Sequence, residues 1–173
     1  MGVLAIAAAS SALSQTSPAA DDPKEKLGLL VGRWEIEMNS TGKVTARGKT
    51  KTVRECRWTP QGHDFLVCAL TATSPQGDHR QLTVYSYNAQ ENKYVVVIIV
   101  NPGAKPQPAA SLSIHGNLWI SVTPSEEGGK TRQMRTTVDR PAPGPATMKV
   151  EASEDGGAHW TLMASGSERK ISD

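Results

Sequence analysis

From Gly32 onward the chain alternates apolar and polar residues in short runs that turn signals interrupt roughly every ten residues, the rhythm of an antiparallel all-β meander. Trp34, Ile36 and Met38 stand against Arg33, Glu35 and Glu37, the period of two that a strand with one face in a core requires. Turn residues follow at Asn39–Gly42, Thr59–Gly62, Ser74–Gly77, Asn88–Asn92, Asn101–Gly103, His115–Asn117, Pro124–Gly129, Pro141–Pro145 and Glu154–Gly157. The gaps between them predict about nine or ten strands. The segment Tyr94–Val100 is apolar on both faces and is expected to be the central strand, covered on two sides.

Ahead of Gly32 the pattern is helical. Asp22 precedes Pro23, and Leu27, Leu29 and Leu30 follow, which predicts a capped helix of about two turns leading into the sheet. Residues Met1 to Ala20 carry no Lys, Arg, Asp or Glu and include the small apolar run Val3–Ala9, so residues 1–20 read as an export signal and residues 21–173 as a single mature domain. The expected location is the periplasm or the exterior of a bacterium. That apolar run, seven residues from Val3 to Ala9, is short of the roughly twenty that span a bilayer, so no transmembrane anchor is expected.

The formal net charge of +2 demands neither an acidic nor a basic partner, and no nucleic-acid module is present. Lys43, Arg47, Lys49, Lys51, Arg54 and Arg57 make a local basic segment, read as the solvated face of an edge strand, with an anionic surface as the alternative.

Cys56 and Cys68 flank the turn around Thr59 to Asp64 at nearly matched distances, which predicts a cross-strand disulfide. They lack the tight spacing of a redox pair, and with His63 and His79 they form no standard zinc pattern. His63, His79, His115 and His159 all fall at turns or strand ends, where histidines are usually solvated, and His159 alone makes a weak case for haem. No nucleophile elbow or phosphate-binding glycine loop occurs, so neither a catalytic residue, a metal nor a cofactor is expected. Ser153–Trp160 resembles the Asp-box of sialidases and related propellers, a hairpin clasp in which Ser and Asp oxygens hold turn amides, Gly157 takes positive φ and Trp160 packs beneath. It occurs once, which excludes a propeller.

Leu29–Trp34 resembles the opening of calycin and lipocalin barrels, where a short helix runs into Gly-X-Trp on the first strand. In such barrels the Trp plugs the closed end against an Arg from the last strand, which makes Arg169 the expected partner of Trp34. With Cys56–Cys68, Val84–Tyr94 and Glu151–Trp160, the chain over residues 27–170 looks like a bacterial family of exported lipocalin-like proteins known by fold and not by activity. The resemblance implies an antiparallel up-and-down barrel. The function expected is non-catalytic binding of a small apolar or amphipathic molecule inside it, with Trp34, Ile36, Met38, Tyr85, Tyr87, Trp119 and Trp160 as lining or plugging candidates. The alternative is an envelope interaction module acting through its outer surface.

Overall fold

A computed structural model describes residues 22–41, 48–74, 77–101, 108–127, 130–141 and 144–173. The expected export signal, together with Lys43 and Arg47 of the basic segment, lies outside those residues. One short helix, α1 (Pro23–Gly28), precedes ten strands: β1 (Gly32–Ser40), β2 (Gly48–Trp58), β3 (Leu66–Ser74), β4 (Gly77–Asn88), β5 (Lys93–Val100), β6 (Ala110–His115), β7 (Leu118–Glu127), β8 (Lys130–Asp139), β9 (Ala146–Ser153) and β10 (Thr161–Ser172). Each strand pairs antiparallel with its neighbours in sequence, and β10 returns to pair with β1, closing the barrel. The all-β, up-and-down barrel behind a short helix is thus the fold.

The helix starts where its chemistry says it should. Asp22 accepts the amide of Lys24 at 2.9 Å and Pro23 occupies the first turn, where its missing N–H costs nothing. Leu27 and Leu30 are sealed from solvent, each burial stabilising by about 1.5–3 kcal/mol, while Leu29 points outward. They belong to one buried cluster with Cys56, Leu66, Cys68, Val96 and Trp119, so α1 caps one end of the barrel over its hydrophobic core. Tyr94 ties the cap down by donating from its hydroxyl to the Pro23 carbonyl at 3.3 Å.

Two expectations need correcting. Tyr94–Val100 does not run through the centre of a sheet, because a closed barrel has no centre. It forms most of β5, which pairs with β4 along its whole length but with β6 only at Tyr94, Val95 and Val96. Its double-sided apolarity has another cause: Val96 is buried inward, while Val97 and Ile99 face out beside Val84 and Leu82 of β4, which in turn register with Val67 and Ala69 of β3. Pro124, read as a turn residue, lies inside β7 opposite Gln133. The pairing of β6 with β7 ends at Val122, so beyond it the second side of β7 has no strand partner among the described residues, and a proline is tolerated there.

The closure between β1 and β10 depends on Gly166. A Cβ added to it would overlap the Glu37 carbonyl oxygen and lie 2.7 Å from Met38 Sδ, so only glycine lets the two strands approach.

Candidate functional site

Alternation decides what enters the barrel. Even-numbered residues of β1, β2 and β3 point inward, odd-numbered ones do so on β4, and together they enclose a cavity of about 270 Å³ above α1. Its wall is mixed. Ile36, Met38, Leu70, Val96, Ile98, Leu112, Met148 and Val150 contribute apolar surface, and Thr52, Gln81, Thr83, Ser121 and Thr136 contribute hydroxyl and amide groups. Gln81 donates to the Thr83 hydroxyl at 2.9 Å along one strand, so part of that polar wall is already organised.

At the α1 end the cavity meets charge. Arg54 on β2 and Arg140 just past β8 both line it. Arg54 donates to Glu168 Oε2 at 2.9 Å, Arg140 pairs with Glu168 Oε1, and the Glu168 side chain has no exposed surface. Both guanidiniums also lie over aromatic faces. Arg140 is 5.3 Å from the Trp34 ring and 4.9 Å from the Trp119 ring, and Arg54 is 5.9 Å from Trp34. Burial pulls the Arg140 guanidinium below the usual arginine range, while Glu168 pulls it back up. Tyr85 completes this end, and desolvation pushes its phenol above the ordinary tyrosine range, so it is a neutral hydroxyl at physiological pH.

The sequence-predicted residues divide into three groups. Ile36, Met38, Tyr85 and Trp119 line the cavity. Trp34 and Tyr87 lie at the α1 end: Trp34 Nε1 donates to the Leu30 carbonyl at 2.7 Å, and Tyr87 packs on Tyr94 with ring centroids 5.2 Å apart and donates to Asn92. Trp160 and Arg169 are outside the barrel. Trp160 packs under the Arg135 guanidinium at 4.2 Å, and Arg135 bonds Glu151 on the outer face, because the Asp-box clasp sets Trp160 before β10 begins. Arg169 does not cover Trp34. It is out of phase with the inward residues of β10 and instead grips Glu35, at 2.6 Å and 2.9 Å, so the cations over Trp34 are Arg54, Arg140 and Lys170.

The clasp itself has the expected chemistry. Ser153 Oγ accepts the Gly157 amide at 2.8 Å, Asp155 Oδ1 accepts the His159 amide at 3.0 Å, and Gly157 takes φ +99°, where a Cβ would meet the Trp160 ring at 3.4 Å. His159 is committed to this turn through Nδ1, 2.6 Å from Asp155 Oδ2, and its amide and ring hold the Asp155 carboxyl far below the usual carboxylate range.

Cys56 and Cys68 are disulfide-bonded directly across β2 and β3, their sulfurs buried beside α1. The basic segment is split by the pleat. Lys51 faces out and bonds Glu35 at 2.6 Å, whereas Arg54 shares the inward phase of Thr52 and Cys56. The sequence groups Arg54 with the outer cations and singles out neither Arg140 nor Glu168. The parity of Arg54 with the bridged cysteine was the available signal; nothing local marks Glu168. Among the described residues no cluster of three metal-ligating side chains occurs.

No protein-family model matches the chain, and no curated protein matches it in sequence.

Proposed function

We propose that this protein is a non-catalytic carrier of a small apolar or amphipathic molecule, held in the barrel, and that it belongs with the exported lipocalin-like proteins its motifs resemble. The observation that carries the reading is the cavity of about 270 Å³ between the capped end and the far strand ends. Close-packed interiors leave few voids larger than a water. This one lies at the lower edge of ordinary ligand sites, which start near roughly 300 Å³, and mixes apolar wall with a few polar groups as such sites do. A buried disulfide and the lack of any long apolar helix among the described residues fit a protein that works outside the cytoplasm.

The test is titration with the small neutral fluorescent probe 1-aminonaphthalene. One probe should bind per barrel with enhanced, blue-shifted emission, and Ser121→Phe, which puts a ring into the cavity, should abolish the signal while the β circular dichroism persists. A probe response unchanged in Ser121→Phe contradicts the reading.

A second reading, a module acting through its outer wall, is favoured by one feature. Val67, Val84 and Val97 form an apolar row across β3, β4 and β5, flanked by Ala69, Leu82 and Ile99. If that wall docks a protein, Val84→Lys should weaken association measured by sedimentation and leave probe binding untouched.

A further inference from the structure

The cavity's charge is unbalanced, and the imbalance identifies the kind of ligand. Two guanidiniums, Arg54 and Arg140, line the space, against one carboxylate, Glu168. Glu168 faces both of them: Oε2 accepts a hydrogen bond from Arg54, and Oε1 is in ion-pair contact with Arg140. Apart from Glu168 and the faces of Trp34 and Trp119, neither guanidinium has a partner among the described residues, and both Nε–H groups are buried without an acceptor. Tyr85 lines the same space. Both arginines and Tyr85 thus share a cavity whose remaining wall mixes aliphatic side chains with a few hydroxyl and amide groups.

Resting on the carrier reading above, we infer that the ligand is a small amphipathic monocarboxylate, its acid group set between Arg54, Arg140 and Tyr85 and its apolar tail directed toward Met38, Leu70 and Ile98. One uncompensated positive charge matches a monoanion, and a dianion such as a phosphate monoester would leave a buried negative charge unpaired. Guanidinium groups present paired N–H donors that suit the two oxygens of a carboxylate, and Tyr85, neutral at physiological pH, adds a donor. Size points the same way: at ~30 Å³ per water, the cavity has room for about nine waters, which corresponds to a molecule of roughly ten heavy atoms. A cationic amphiphile is refused, because the arginines repel it while Glu168 is already occupied.

Calorimetric titration of the full barrel with decanoate, 1-decanol and decylammonium, which share a tail and differ only in head group, tests the assignment. Decanoate should bind more than about tenfold tighter than decanol, since charge-assisted hydrogen bonds replace neutral ones, and decylammonium should bind weakest. Arg140→Gln should collapse the difference between acid and alcohol, with Arg54 still holding Glu168. Tyr85→Phe, a change that keeps the ring, should weaken decanoate by a few-fold and keep the order. Equal binding of acid and alcohol by the unmodified protein overturns the head-group assignment and leaves the carrier reading standing, as does an order that survives Arg140→Gln. Tightest binding of decylammonium overturns it as well. Failure of all three to bind, together with no response to the neutral probe, overturns the carrier reading and this inference with it.

Discussion

A carboxylate with no exposed surface survives only if its charge is matched, and Glu168 is matched by Arg54 and Arg140 together. Replacing it with Gln leaves two buried guanidiniums facing each other, so Glu168→Gln should cost about 3–5 kcal/mol in urea unfolding. A cost below about 1 kcal/mol would mean that water reaches the charges and that the site is not sealed. Trp34 sits against the same arginines with its indole N–H bonded to Leu30, and Trp34→Ala should cost about 3–5 kcal/mol by the same measurement. Asp155 behaves differently because it is on the surface. Its folded carboxyl stays ionised to lower pH than the unfolded one, so its clasp contributes fully above about pH 4 and is lost as the pH falls toward the folded value. The stability gap between the unmodified protein and Asp155→Asn should therefore be constant near neutrality and narrow in acid. At this scale the sequence was least legible. Trp34, Met38 and Tyr85 could be placed by alternation, but a charge at an inward position, as at Arg54, looks in sequence like any charge on an exposed face.

The elements were far easier to read, because their signals are local. Asp22 with Pro23 announces a helix start, and the turn at His115–Asn117 and the Asp-box hairpin announce themselves by residue type. What alternation could not show is how long each pairing runs. The abrupt end of the β6 pairing at Val96 on one side and at Val122 on the other is a register property, and it explains Pro124 inside β7. Two tests belong here. Reducing the Cys56–Cys68 bridge, which closes a loop with a sequence separation of 12, should cost about 3 kcal/mol and lower the melting temperature without unfolding the barrel at room temperature. Gly166→Ala forces β1 and β10 apart at the closure and should cost about 1–3 kcal/mol, with the amides of Glu37 and Met38 losing protection from hydrogen exchange.

At the scale of the whole molecule, ten strands closing on themselves remove every full-length edge and create an interior that side chains do not fill. The helix and the disulfide seal one end, and the charged triad lies just inside that seal. The α1 end therefore both stabilises the barrel and supplies the charged floor of the space above it. Such an interior is expected to leave its source occupied. Native mass spectrometry of the protein purified from its own cells under mild conditions measures this directly. A single bound molecule per barrel, released on unfolding, is the predicted result. A mass equal to that of the bare polypeptide, from protein that also ignores 1-aminonaphthalene, would contradict it.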